Sequence, residues 1–286
     1  MKNLFKIFLV VLTTTMFLSC EDDEKNQITD TIEAPFAYFG EISSPVINVT
    51  DLEGSAFEAE VVAPFGNITS YDIRVNRNNV EDADGNLVYV PLTNITEQFP
   101  LDLRISATDL AAAFGITLAD LQAGDQYNFL ATTTGSDGIT IDPGDGTQFL
   151  GAITNPGLEQ ALSFTTFISC PFNQSDAIGT YTKQTDAFGL AASTFEVIAG
   201  PDENSLTVVD LFSAGANFDI QINPDTGIAT IARQPVAPSF FGYSGGNINT
   251  SGTSFVFSCT GAFVFNLQYT VDLGSFGSFD FSAVKN

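Results

Sequence analysis

The side chains able to do chemistry in this chain are mostly carboxylates. Aspartate and glutamate total 34 against 9 lysines and arginines, a formal net charge of -25, with no histidine, no tryptophan and 3 cysteines. Without histidine the commonest general base and metal-ligating side chain is missing, so Ser-His-Asp, Cys-His and His-zinc chemistry are excluded. The acidic excess also excludes nucleic acid as a partner, because phosphate binding needs clustered Lys and Arg. Carboxylates leave two chemistries open. Two acids at a defined separation can hydrolyse a glycosidic bond, yet among so many acids some pair always lies close, and none here is singled out by an aromatic setting. A glycan-active hydrolase is therefore the weakest of the functional readings. The other chemistry is calcium binding, since calcium takes oxygen ligands from turns.

The candidate calcium ligands are Asp82, Asp84 and Asn86, within Glu81-Asp82-Ala83-Asp84-Gly85-Asn86. A second acidic stretch holds Asp137, Asp142 and Asp145. Neither has the spacing of an EF-hand loop, and Asp-Gly is equally the ordinary pair of a hairpin turn. No other cofactor is expected. Aromatic side chains offer binding rather than catalysis. Phe240, Phe241 and Tyr243 fall in a Pro/Gly-rich stretch, residues 235–243, that reads as a loop. Aromatic residues are less expected in a core from a loop than from a strand, so these three are the candidate ligand-binding residues. Burial of the phenylalanine pair is the competing outcome.

The elements that must position these groups read as strands and turns. In Ser70-Tyr71-Asp72-Ile73-Arg74-Val75 the apolar residues share one face and the charged ones the other, the period of a half-buried strand. Similar segments recur with turn signals between them, among them Asp84-Gly85-Asn86, Asp137-Gly138 and Asn223-Pro224-Asp225-Thr226-Gly227. The expected fold is all-β. An immunoglobulin- or fibronectin-like sandwich spans 35–167, and an antiparallel sandwich or barrel spans 168–286. One stretch departs from the pattern. Ser106 to Gly115 reads as a short helical insertion, with Ser106 and Asp109 as its capping box, Gly115 as its stop, and Leu110 and Phe114 facing the sandwich.

The N-terminus carries an address. Residues 1–19 combine Lys2 and Lys6 with an apolar stretch from Ile7 to Leu18, too short for a membrane span and fitted to a secretory signal. Ser19-Cys20 follows. The segment resembles a bacterial lipoprotein signal, and the resemblance implies acylation of Cys20 and anchoring to the outer membrane. Cleavage would remove two positive charges and no acid, so lipid and not electrostatics must hold the chain at the membrane. Residues 20–34 form an acidic tether without apolar periodicity. Its Glu21-Asp22-Asp23-Glu24 resembles the surface-export signal of Bacteroidota lipoproteins, which implies a cell-exterior location. In the exported chain Cys170 and Cys259 are expected to form a disulfide, with two buried thiols as the alternative.

A second resemblance lies in Thr108-Asp109-Leu110, Leu118-Ala119-Asp120-Leu121 and Ala123-Gly124-Asp125-Gln126-Tyr127. These resemble the β-sandwich accessory lipoproteins encoded beside starch-utilisation-type nutrient systems. The resemblance implies a non-catalytic role, binding a glycan or other nutrient beside an outer-membrane transporter. It carries over no binding residue. A structural or adhesion protein of the envelope is the alternative.

Overall fold

Alternation of apolar and polar residues builds nearly every element of the computed structural model, which describes residues 34–145 and 161–286. Cys20, Glu21–Glu24 and the signal segment lie outside the described residues. The first half contains β1 (Tyr38–Ser44), β2 (Ile47–Asn48), β3 (Ala56–Val62), β4 (Ile68–Arg77), β5 (Val90–Ile95), β6 (Leu101–Ser106), α1 (Ala107–Phe114), β7 (Gln126–Gly135), β8 (Thr140–Ile141) and β9 (Ser163–Ser169). They form two sheets, ordered β1-β3-β6 and β2-β9-β7-β4-β5, with β8 beside β7. Every pairing is antiparallel except β2 with β9. Pro45 carries the chain from β1 in one sheet to β2 in the other, so the first strand is divided between the layers as in immunoglobulin-type sandwiches.

The inward faces are those the sequence pattern marks. Tyr71, Ile73 and Val75 of β4 are buried, opposite Phe129 and Ala131 of β7. Phe57, Phe164 and Phe129 form a column of stacked rings between the layers, with centroids 5.2 and 4.6 Å apart. Helix α1 has the expected caps. The Asp109 amide donates to Ser106 Oγ, the Ser106 amide donates to the Asp109 carboxylate, and Gly115 takes the left-handed φ of 63° that ends the helix. Its buried face is Ala107, Leu110 and Ala111, while Phe114 is half-buried against Tyr127.

The second half holds β10 (Gly179–Asp186), β11 (Thr194–Ala199), β12 (Ser205–Val209), β13 (Phe218–Ile222), β14 (Ala229–Thr230), β15 (Gln234–Phe240), β16 (Tyr243–Thr250), β17 (Phe255–Phe257), β18 (Ala262–Val271) and β19 (Gly274–Lys285). They make one ten-stranded sheet, ordered β14-β13-β12-β11-β10-β19-β18-β16-β15, with β17 beside β18. The sheet curls until its two ends meet. The Asp219 amide donates to Gln234 Oε1 at 3.1 Å and Gln234 Nε2 donates to the Asp219 carbonyl at 2.8 Å. The Thr250 amide likewise donates to the Ile231 carbonyl. Side-chain and loop bonds, not a strand ladder, join the ends, so of the two forms left open, sandwich or barrel, this half takes a curled sheet that closes only in part. Its interior is filled by Tyr181, Phe195, Phe218, Phe263, Phe265, Leu267, Tyr269 and Phe281 among others.

Pro35–Asn286 is one compact unit. Where the halves meet, Val46, Phe167, Phe255 and Phe257 form a small apolar cluster. Ser169 Oγ donates to the Thr226 carbonyl at 2.5 Å. The expected Cys170–Cys259 disulfide is present and ties the end of β9 to the β17–β18 turn, across a separation of 89 residues. Among the described residues no helix is long and apolar enough to cross a membrane.

Candidate functional site

Residues 235–243 are not the loop their composition suggests. Gln234–Phe240 is strand β15, paired with β16 from Gln234↔Ile248 to Phe240↔Tyr243. Its prolines, 235 and 238, are tolerated because β15 ends the sheet path, where one row of amides has no ladder partner. Phe241-Gly242 is the two-residue turn, with φ of 51° and 85°, the positive pair of a type I′ hairpin. Asparagine or glycine is favoured at the first position of such a turn; a phenylalanine there is held at a conformational cost.

This geometry divides the three candidate aromatics. Strand alternation turns Phe240 inward, where it is 1% exposed and packs against Phe212 and Tyr269. Phe240 therefore has no face to offer a ligand, a correction to its place among the candidates. Phe241 and Tyr243 remain outside, 52% and 48% exposed. They meet Phe276 of β19, with centroids 5.3 and 6.1 Å away respectively. Beside them the β18–β19 turn carries Leu273, 83% exposed. Tyr243, Val271, Leu273, Ser275 and Phe276 surround an open hollow of about 200 Å³.

Three contacts hold the tip in place. Ser244 Oγ donates to the Asp272 carboxylate at 2.8 Å, and the Asp272 amide donates to the Ser244 carbonyl at 3.0 Å, so the two hairpin turns are fastened to each other. Asp272 reaches so close to Gly245 that a β-carbon there would collide with its carboxylate, and Gly245 also has a φ of 78°. From below, Phe188 packs against Phe241, Phe276, Phe279 and Tyr269. Phe188 is set by Asp186, whose nearly buried carboxylate accepts from the amides of Phe188 and Ala191 and pairs with Lys183 at 3.1 Å. Sequence reasoning missed Phe188, Leu273 and Phe276. A signal for Leu273 was present, an apolar residue inside the turn-like Asp272-Leu273-Gly274.

The acidic stretches are turns. Asp82 Oδ1 accepts from the amides of Asp84 and Asn86, each at 2.9 Å, and the Asp82 amide donates to the Asn86 carbonyl. Hydrogen bonds from Asn86 and Asp84 hold the Asp82 carboxyl below its ordinary pKa. Its Oδ1 thus stabilises the turn. Among the described residues no three carboxylate or cysteine side chains come together in a way that could hold a metal ion. The calcium candidates Asp82, Asp84 and Asn86 share this one exposed turn, two carboxylates with one side-chain amide.

Other carboxylates are bound to cations. Asp142 takes both Arg74 Nη1 and Nη2, at 2.8 and 2.5 Å, and Asp125 takes Arg77 Nη2 at 2.7 Å. Partial burial pushes the Asp142 pKa up, but hydrogen bonds from Arg74, Gly144 and Thr132 outweigh it and leave the pKa low. Asp120 is also lowered, by the hydroxyl and amide of Thr117. A glycosidase general acid needs the opposite shift. Compared with known proteins, the chain matches no described protein family and no curated protein.

Proposed function

We propose that the chain is a non-catalytic, lipid-anchored protein of the bacterial cell surface that binds a ligand, with a glycan or other nutrient as the ligand class. It would act as an accessory component beside an outer-membrane transporter. The observation that carries the reading is the aromatic tip. Phe241 sits in a turn position that favours Asn or Gly, exposes half of its surface, and shares a patch with Tyr243 and Leu273. One side of the ring packs on Phe188 and Phe276, but the other stands in solvent, and an apolar ring face is what the non-polar side of a sugar contacts. The lipid anchor rests on Cys20 and its preceding apolar segment, and the exterior location on the acidic run that follows.

The test is binding of the purified protein to a panel of neutral polysaccharides by calorimetry. The Phe241→Ala, Tyr243→Ala double variant should lose affinity by at least about tenfold, the scale of an aromatic hot spot, while circular dichroism shows it still folded at the temperature of the titration. Unaltered affinity in that variant would remove the tip from the reading. A protein that binds no polysaccharide but is retained by other envelope components would instead serve as a structural or adhesion protein. The welded junction between the halves suits such a spacer. For the anchor, Cys20→Ala should free the chain from membranes, and persistence in the detergent-soluble fraction would argue against acylation.

A further inference from the structure

One strand edge of the sandwich is left unguarded. An edge presents unpaired amides and carbonyls, and native sheets blunt it with short strands, prolines or bulges. The other ends of the sheet paths follow that rule. β2 and β14 have two residues each. β1 has register shifts, and β5 and β15 have register shifts as well as prolines, Pro91, Pro235 and Pro238. β6 also ends its sheet, but it pairs with β3 in unbroken register from Val61↔Leu101 to Ala56↔Ser106 and contains no proline. The ladder also tells which row of β6 is free. The Ser106 amide donates to the Asp109 carboxylate, and the Glu58 carbonyl accepts from Ser43 Oγ of β1, so neither group faces the β3–β6 ladder. Alternation then turns the amides and carbonyls of Asp102 and Arg104 away from β3.

The free row opens into a groove. The sheet of β6 has three strands and the facing sheet five, and β5 overhangs β6. Thr93 of β5 shows the overhang. It pairs with Ile73 and shares its inward face, yet Ile73 is 2% exposed and Thr93 stands open to solvent. Between overhang and edge lies a groove of about 300 Å³ along Leu101–Ile105, with half-buried Leu92 and Ile95 in the opposite wall. A strand laid beside β6 would turn alternate side chains inward to these apolar residues and the others outward beside Asp102. Charge and shape select the occupant. Arg104 is bound to Glu58 at 3.1 Å, and Asp109 is used in the helix cap. Among the described residues Glu97 and Asp102 have no cation partner. Asp102 lies directly across the ladder from Glu60, a like-charge pair that destabilises the sheet unless a cation joins it. A second copy is excluded by shape, because pairing β6 with β6 would drive the overhanging β5 of each copy into the facing sheet of the other.

We propose that β6 is a docking edge for an extended segment of a partner protein in which apolar residues alternate with lysine or arginine. The segment adds a fourth strand to the small sheet. Its backbone bonds to Asp102 and Arg104, its apolar side chains lie under β5, and its cations stand beside Asp102 and Glu60.

The experiment titrates the full chain into a fluorescently labelled peptide, Thr-Val-Lys-Val-Lys-Val-Thr with blocked ends, and reads anisotropy. Binding should saturate at one peptide per chain, and the peptide with glutamate in place of lysine should bind at least about tenfold more weakly. A ladder uses only alternate amides of the added strand. N-methylation of the lysines or of the valines, one set and not the other, should therefore abolish binding. Thr93→Trp should fill the groove and weaken the lysine peptide by a similar factor. Asp102→Lys should reverse the preference in favour of the glutamate peptide, whereas Glu203→Lys, the same change of charge on an exposed turn of the second half, should keep it. Equal effects of the two methylated sets, full binding by Thr93→Trp, or the same preference in Asp102→Lys as in Glu203→Lys would overturn the proposal. So would sedimentation of the parent as a dimer that Thr93→Trp makes monomeric, which would assign the edge to a second copy.

Discussion

The two halves of the chain follow the same alternation of apolar and polar residues and yet leave their aromatic side chains in different places. In the sandwich, two separate sheets each have two edges, so the core they enclose is open along the seams. Phe39 and Phe57 are buried, yet they still line a cleft. In the second half one sheet curls until its ends are joined through Gln234 and Asp219. That join narrows the seam, and the rings of β18 pack inside. Apolar surface then reaches solvent chiefly at the hairpin turns, at Phe241, Tyr243 and Leu273. The curl of the sheet thus decides where aromatic residues come near solvent, along an edge in the first half and at a tip in the second.

The largest expected effect tests that contrast directly. Phe263 is 1% exposed and stacks on Tyr181 at 4.4 Å inside the curled sheet. Phe263→Ala should cost about 3–5 kcal/mol in urea unfolding, the loss typical of a phenylalanine cavity in a closed core. Phe39→Ala should fall at or below the low end of that range, since the space it vacates borders a cleft that solvent already enters. Equal losses would mean that the seam is as tightly packed as the barrel and that the comparison fails.

The next effect concerns the link between the halves. Replacing Cys170 and Cys259 together by serine should destabilise the protein by about 2–4 kcal/mol, because the bridge constrains a long loop in the unfolded chain. Partial proteolysis should then release the two halves at different rates. A single cooperative transition with unchanged midpoint would show that the Val46, Phe167, Phe255 and Phe257 cluster suffices without the bridge.

Smaller still is the effect at the tip. Gly245→Ala forces Asp272 away from Ser244 and places a β-carbon at positive φ, so about 1–2 kcal/mol should be lost. Polysaccharide binding should weaken with it, since the two turns lose their shared fastening. Retained affinity with reduced stability would separate the fastening from the binding surface.

These contrasts were legible in the sequence to unequal depth. Local signals carried most of the fold. The alternation around Tyr71, Ile73 and Val75, the Ser106–Asp109 capping box and the pairing of Cys170 with Cys259 are each set by near neighbours or by the small number of cysteines. The tip was only half legible. Pro235 and Pro238 read as a loop because a proline inside a strand is excluded only when that strand is central, and centrality is a property of the whole sheet. Once β15 is a strand, alternation buries Phe240, while Phe241 falls in the turn and Tyr243, opposite Phe240, starts β16 at the exposed tip. Phe276 lies 35 residues away and Phe188 more than 50, so only the curl of the sheet brings them together. The acidic turn at Asp82 is ambiguous in sequence for the same reason in reverse. A turn that uses its carboxylate to hold backbone amides has the composition of a cation loop.

The smallest expected effect separates the outer face of the sandwich from its core. The Asp142 carboxyl is held below its ordinary pKa chiefly because the hydrogen bonds from Arg74, Gly144 and Thr132 outweigh the burial that would raise it. A depressed folded pKa means that the unfolded state takes up protons first as the pH falls. The stabilisation is therefore complete above the ordinary carboxylate value, near pH 4, and fades as the pH drops through the lower folded value. Because the pair is partly solvated, with side-chain exposures of 32% for Arg74 and 21% for Asp142, its contribution should be about 1 kcal/mol or less. Asp142→Asn should accordingly lower stability slightly at pH 7 and flatten the decline of stability below pH 4. A parallel acid profile in the two proteins would show that Arg74 gains as much from water as from Asp142, and the sandwich would then owe its stability to its rings alone.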